Sequence, residues 1–384
     1  MASRLFWFRA PRVTHAGFEA LARLAPEARA LGGRKVLLIT DPGVARSGVL
    51  EKVTKALSEG AARVAGNPCH PIPFEVFDGV QPEPPIASAE AALAALKRMK
   101  ADLVIGVGGG SAMDVAKIVA ILATNGGDLR QYFGEDKIPK PGLPKILIPT
   151  TAGTGSEVSP IAMLTDPAER LKKGMVSPHL LAEVAIVDPE MSRTMPPKVT
   201  ASTGMDALTH AIEGTFSVLA NPLTDGICLE SARMIAAYLP RAYRNGGDME
   251  ARQGMAVASM MAGLVLGNSS VTIVHALAYP LGARYNVPHG VANTVMLVPV
   301  MEFYREVCRE ALERLAHAMG AGDTAEAAIQ AVRRLAKGVG MSIPLRELGV
   351  TADALPAMGL ATSKISRLMA KSPRPATAQE LEAM

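Results

Sequence analysis

The run Leu103-Val-Ile-Gly-Val-Gly-Gly-Gly-Ser111 is apolar, ends in glycines and is followed at once by the helical pattern Ala112–Thr124. A short continuous apolar run bounded by a turn reads as a strand buried on both faces, the kind found in parallel sheets. Glycines after such a strand let backbone N–H groups approach an anion with no Cβ in the way. The helix that follows adds the partial positive charge of its aligned peptide dipoles. Ser111 is expected to be the N-cap or to donate its hydroxyl to a ligand oxygen, and Asp114, three residues on, completes a capping-box-like pattern. Taken alone, the loop is explained equally well as a tight turn before a capped helix.

Working outward, the same alternation repeats. Lys35–Thr40, Phe74–Phe77, Ile146–Pro149 and Val184–Val187 read as strands, and Gly43 to about Glu59 and Ala87–Lys100 read as helices. Strand–helix alternation predicts a parallel sheet covered on both faces. A second small-residue loop, Pro149-Thr-Thr-Ala-Gly-Thr-Gly-Ser-Glu157, also follows a buried strand. Two such loops at carboxyl ends of strands suit a pyrophosphate and its ribose, so a dinucleotide is expected here. The ordinary fingerprint places an acid ~20 residues after its glycines. Here the acid is upstream, Asp41 at the end of the first clear strand. It is positioned to hold a ribose 2′-hydroxyl and repel a 2′-phosphate, which favours NAD over NADP; a plain turn aspartate in Asp41-Pro-Gly is the simpler alternative.

Beyond Asp188-Pro189 the pattern changes, and from about Lys198 only helical periodicity remains: Thr203–Val218, Leu223–Tyr238, Met249–Leu266, Gly290–Met319 and Thr324–Gly338. Pro196-Pro197 is a natural hinge, which predicts an α/β dinucleotide-binding domain over 1–195 and an all-helical metal-binding domain over 196–384. The second half carries Gly204-Met-Asp-Ala-Leu-Thr-His-Ala-Ile-Glu213. Asp206 and His210, four apart, fall on one helix face. Downstream are His275 and His289, separated by Tyr279-Pro-Leu-Gly282, which is expected to break the helix and return the chain. One carboxylate and three imidazoles make a first-row metal set suited to Fe2+ or Zn2+, acting as a Lewis acid. Each histidine alone is more often an ordinary hydrogen-bonded residue, and His15, His70, His179 and His317 have no comparable setting.

Composition narrows the alternatives. With 384 residues, 49% of them apolar and only 4% aromatic, the chain can build a large aliphatic core. A balance of 40 Lys+Arg against 36 Asp+Glu, with no basic cluster, argues against nucleic acid and for a small molecule or another copy of the chain as partner. Cys69, Cys228 and Cys308 are odd in number and widely spaced, so neither a disulfide framework nor a Cys-rich zinc site is expected. The start, MASRLFWFRAPRV, lacks the apolar run of a signal peptide, and no run approaches a membrane span, so a cytoplasmic location is expected.

GGGS at 108–111, PTTAGTGSE at 149–157, GMDALTHAIE at 204–213 and HALAYPLGARYNVPHGVAN at 275–293 together resemble the iron-dependent (group III, metal-containing) alcohol dehydrogenase family, in its order and over nearly the whole chain. The resemblance implies that family's fold, related to dehydroquinate synthase, with NAD(P) on the α/β domain and metal on the helical one. It implies metal ligation by Asp206, His210, His275 and His289, and cofactor contacts from Asp41, from Gly109, Gly110, Ser111 and Asp114, from Thr150, Thr151 and Thr154, and from Lys172 beside the nicotinamide ribose. It also implies a dimer or larger assembly. Two positions depart from the family pattern. Tyr279 stands where a second histidine usually follows the ligand at 275, and a phenol with pKa near ~10 is a poorer proton shuttle. Pro82-Glu-Pro84 stands where the family has an asparagine between prolines, and Glu83 cannot donate as an amide does. The expected reaction is hydride transfer between NAD and a small primary alcohol or aldehyde, with Asp206, His275 and Tyr279 as the catalytic set. A reductase of hydroxy or keto acids, drawing on Arg284, is the runner-up. A dehydroquinate-synthase-type lyase and a binding protein without turnover complete the alternatives.

Overall fold

A computed structural model describes residues 5–59, 71–169 and 171–384; Cys69 and His70 lie outside the described residues. Two compact units are distinguished: residues 9–151 with 155–194, and residues 195–384 with 152–154 and the described residues 5–8.

The first unit is built on strands β1 (Val13–Ala16), β2 (Val36–Ile39), β3 (Phe74–Phe77), β4 (Leu103–Gly108), β5 (Gly134–Glu135), β6 (Lys145–Pro149), β7 (Ile161–Asp166), β8 (Leu171–Val176) and β9 (Val184–Val187). Six of them form an all-parallel sheet in the order β1-β9-β6-β4-β2-β3. Side chains alternate between two cores: Leu37, Ile39, Val104 and Leu147 fill one, and Val36, Leu38, Ile105, Ile146 and Ile148 the other. Burial on both faces is why these strands read as unbroken apolar runs. β3 lies on one side of β2 and β4 on the other, so the chain reverses its direction across the sheet there. In open α/β sheets such a reversal is where ligands bind, at the carboxyl ends of the strands.

Sequence patterning did not reveal β1 or the small sheet β5-β8-β7. β1 is a four-residue edge strand, half buried, and β8 begins Leu171-Lys-Lys. Neither carries a long apolar run. The antiparallel β7–β8 pair is held by ladder hydrogen bonds with one face of β7 buried, an alternation too short to stand out. The expected helix from Gly43 to Glu59 is two helices, Pro42–Arg46 and Val49–Glu59, because Gly48 between them adopts a positive φ of 79°.

The second unit contains the helices Pro197–Phe216, Pro222–Arg244, Met249–Asn268, Ile273–Tyr285, His289–Phe303, Arg309–Ala318 and Ala325–Gly338. The first is its axis: every residue from Gly204 to Phe216 is buried. Two expectations are corrected here. The chain does not break at Tyr279–Gly282. Ile273–Tyr285 stays helical through Pro280 and ends at Asn286 in the left-handed region. Proline forfeits one hydrogen bond, but the buried face formed by Ile273, Val274, Ala276, Leu277, Ala278 and Leu281 outweighs that loss. The long pattern Gly290–Met319 is divided at Tyr304–Cys308 into two helices. Among the described residues no single helix is long and apolar enough to cross a membrane.

Arg252, only 2% exposed, anchors the start of this unit. Its guanidinium donates to the Met195 carbonyl (3.0 Å), the Thr200 hydroxyl (2.9 Å) and the Gly246 carbonyl (3.1 Å). Arg252→Ala removes the donor from two buried acceptors and one half-buried acceptor and is expected to destabilise the unit by on the order of 3 kcal/mol, read from chemical denaturation.

Candidate active site

The Pro197–Phe216 helix presents Asp206, His210 and Glu213 at helical spacing along one face. Ile273–Tyr285 brings His275, and His289 is the first residue of His289–Phe303. The Nε2 atoms of His210 and His275 lie 3.1 Å apart. Asp206 Oδ1 is 4.0 Å from His210 Nε2 and 3.8 Å from His289 Nε2. Asp206, His210 and His275 are buried, with one ligand atom from each lying within 4.8 Å of the others.

Glu213 sets the state of His275. Its Oε1 accepts from the Thr272 N–H (2.9 Å), the Thr272 hydroxyl (2.7 Å) and the Val274 N–H (2.9 Å), and its Oε2 accepts from His275 Nδ1. Thr272 is the N-cap residue of Ile273–Tyr285 and offers no side-chain cap of its own, so the carboxylate of another helix caps this one. With Nδ1 held by Glu213, His275 turns its Nε2 toward His210. Burial pushes His210 below the ordinary imidazole value, against the pull of Asp206. Burial would raise Asp206, but the three histidines and the Asn293 amide outweigh it and hold the carboxyl below its usual range. Asn293 Nδ2 lies 2.7 Å from Asp206 Oδ1, 3.1 Å from His275 Nε2 and 3.2 Å from His289 Nε2. A carboxylate and imidazole nitrogens facing one small volume are a donor set that fits a divalent cation of the iron or zinc type.

Glu213 and Asn293 are the residues that sequence reasoning passed over in this centre. Their signal was present: Glu213 is seven residues after Asp206, and Asn293 is four after His289. Both spacings return to the same helix face.

In the sheet unit, Asp41, the glycine loop and Thr150–Thr151 follow the neighbouring strands β2, β4 and β6. Gly108 has φ of 153°, and a Cβ there would stand 2.7 Å from that of Ala112, so the close turn requires glycine. The N-cap of Gly110–Asn125 is Gly109, not Ser111, and no side chain caps it. The expected Ser111–Asp114 capping box is therefore absent, because the helix starts earlier than its first apolar residue. Asp114 instead turns inward: Oδ1 accepts from the Ser156 hydroxyl (2.6 Å) and Oδ2 from the Met163 N–H (2.9 Å). Asp41 caps Pro42–Arg46 with Oδ1, which accepts from Gly43 (2.8 Å) and Val44 (3.0 Å), and its Oδ2 faces Gly108. Thr150 N–H donates to the Gly108 carbonyl at 2.9 Å. Thr154 groups with the helical unit.

Lys172 is on β8, opposite Thr165 of β7, and forms an ion pair with Glu83, whose φ is 51°. Tyr279, one turn after His275, packs with Val271, Ile365 and Leu368. Burial pushes its phenol above the ordinary value, while Arg367 pulls the other way. Arg284 is exposed near the end of the same helix.

Residues 11–189 match the iron-containing alcohol dehydrogenase domain, and residues 200–384 the C-terminal domain of the Fe-containing alcohol dehydrogenases. The chain belongs to the iron-containing alcohol dehydrogenase family. It is 40% identical to long-chain-alcohol dehydrogenase 1 of Geobacillus thermodenitrificans, over 97% of this chain and 94% of that one. Identity to 1,3-propanediol dehydrogenase of Klebsiella pneumoniae is 37%, over 100% and 99%. The fold superposes on a crystal structure of 1,3-propanediol oxidoreductase with a TM-score of 0.94 and 37% identity, over 99% and 98% of the two chains. For sulfoacetaldehyde reductase from Bifidobacterium kashiwanohense, solved with NAD+, the TM-score is 0.88 at 29% identity, over 100% and 98%. This family member is an oxidoreductase of the alcohol dehydrogenase type.

The centre depends on how closely two helices approach. A Cβ on Gly290 would stand 2.2 Å from the backbone oxygen of Ser202, with no flexible side chain to yield. Gly290→Ala is expected to move His289 away from Asp206, lower stability by about 1–3 kcal/mol and weaken metal binding. A thermal melt and an Fe2+ titration of the same preparation check both effects.

Proposed function

We propose that this chain interconverts small primary alcohols and aldehydes, with Asp206, His210, His275 and His289 holding a divalent iron and the glycine and hydroxyl loops holding NAD. The reading rests on one observation above the others: a buried carboxylate and two buried imidazoles converge, and Glu213 fixes the tautomer of one of them. Bound there, the metal supplies a Lewis acid that favours the alkoxide over the alcohol and polarises an aldehyde carbonyl.

The side chains have separate tasks. Glu213 keeps the proton of His275 on Nδ1, so Nε2 stays a lone-pair donor through the cycle. Asn293 orients the Asp206 carboxylate by donating to Oδ1. Gly109 and Gly110, at an uncapped helix start, offer backbone N–H groups to the pyrophosphate. Thr150, Thr151 and Thr154 contribute hydroxyls, and Lys172, when released from Glu83, contributes an ammonium to the ribose. Asp41 has one oxygen left after capping, and that oxygen suits a ribose 2′-hydroxyl and repels a 2′-phosphate. Tyr279 keeps its proton at neutral pH. It relays a proton only by taking another, so water and the ribose hydroxyls complete the path. Exposed Arg284 gives no support to a substrate carboxylate, which leaves the hydroxy-acid reading without an anchor. Assembly into a homo-oligomer and a reducing cytoplasmic setting are part of the same reading; Cys228 and Cys308 are free and buried.

The relatives' names span methanol, 1,3-propanediol, long-chain alcohols and sulfoacetaldehyde, so the assay must span them too. With Fe2+ and NAD, NADH absorbance at 340 nm is expected to rise with primary alcohols; no turnover across the whole panel, in either direction, would falsify the proposal. His275→Ala is expected to lose iron and activity together while keeping NADH affinity. For cofactor choice, Asp41→Ser retains a cap acceptor and removes the charge, so NADP use should improve by roughly tenfold or more; an unchanged NAD:NADP ratio counts against the 2′-hydroxyl role.

A further inference from the structure

The sheet unit contains a buried charge cluster that no step above uses. Lys117, fully buried, lies two turns into the helix that the glycine loop opens. Its ammonium donates to the Ser156 hydroxyl (2.7 Å), the Ser159 carbonyl (3.0 Å) and the Ile161 carbonyl (2.7 Å), which uses all three of its protons. Asp114, one turn earlier, stands 3.7 Å away and accepts from Ser156 and from the Met163 N–H. Every neutral partner of the pair lies on one stretch, 156–163, which begins within the end of the hydroxyl loop. At its other end that loop is tied by Thr150 to the Gly108 carbonyl.

We propose that Lys117 and Asp114 are positioning residues for the cofactor: they lock the far end of the hydroxyl loop to the helix of the glycine loop and so fix the spacing of the two phosphate- and ribose-binding segments. The inference rests on the reading that these loops hold NAD.

Chemistry supports a role in geometry over one in stability. Burial is costly for this cluster: it pushes Lys117 down to about 8 and Glu157, also buried, up to about 7. Glu157 Oε2 is buried without a hydrogen-bond partner. Around the cluster the same helix packs Ala116, Ile118, Val119 and Ala120 into an apolar core, so an aliphatic residue at 117 would continue that core. Replacing both members of a buried ion pair by apolar residues often costs little stability, whereas removing one alone leaves the other charge unpaired. Each Asp114 oxygen accepts one hydrogen bond, from the Ser156 hydroxyl and the Met163 N–H, so the carboxylate is tied to the stretch that follows the hydroxyl loop.

The test is the iron-loaded enzyme with Lys117→Met, Asp114→Asn and Ser156→Ala, compared with wild type by NADH titration and by steady-state kinetics with NAD varied at saturating alcohol. The expected result for Lys117→Met is a KM for NAD raised roughly tenfold or more, with kcat at saturating NAD within about twofold and iron content and alcohol KM unchanged. Ser156→Ala, which leaves Lys117 its two carbonyls and Asp114, is expected to give a smaller rise in the same direction. If Lys117→Met does not fold, Ser156→Ala and Asp114→Asn decide the matter. An unchanged KM for NAD in the folded variants, or a fall in kcat with no change in that KM, overturns the inference while leaving the NAD reading intact. Failure of wild type itself to bind NADH overturns the reading beneath it.

Discussion

One carboxylate governs the proposed metal centre. Glu213 caps the helix that carries His275 and fixes the tautomer of that same histidine, from a helix that also carries Asp206 and His210. A helix start needs acceptors for its free N–H groups, and an imidazole ligand needs its other nitrogen held. Here both needs are met by one side chain. The consequence is mechanical as well as electronic: the orientation of His275 cannot drift without uncapping its helix. Asn293 does the corresponding work on Asp206 from the helix that His289 begins.

The sheet unit solves a different problem. A backbone that must approach an anion closely cannot also carry the side chains that would stiffen it. Gly108, Gly109 and Gly110 give access, and Gly108 needs both its positive φ and the room beside Ala112. Stiffness comes instead from outside the loop: the sheet beneath it, the Thr150–Gly108 hydrogen bond, and the ion pair of buried Lys117 with half-buried Asp114. Polar groups are placed where rigidity is wanted and glycines where contact is wanted.

Several local rules yield to packing in this chain. Pro280 sits inside a helix, Glu83 adopts a left-handed conformation, and Arg252 is buried with only neutral acceptors named around it. Each exception is tied to something beyond its own neighbours in sequence. Pro280 is carried by the buried face of its helix, Glu83 is paired with Lys172, and Arg252 ties down Met195 and Thr200. Glu83 and Lys172 are both positions where the chain departs from, or was expected to follow, the family pattern, and their pairing means that neither acts alone.

The amino-acid sequence by itself determined the parallel sheet, the change to an all-helical second half and the stripe Asp206–His210, because burial on both faces and a fixed helical period leave marks in composition and spacing. It also exposed the two small-residue loops, since only glycine and short hydroxyl side chains suit them. What it did not carry was partnership. Whether Ser111 or Gly109 begins the helix, that Asp114 accepts from Ser156, and whether Pro280 breaks a helix are each settled by groups far away in the chain. The meeting of His275 and His289 with Asp206 is likewise a product of three helices packing, with Gly290 and Ser202 setting the distance. A hydrogen bond or a lone pair has a direction, and direction is fixed only when the partner's position in space is fixed; no local pattern contains it.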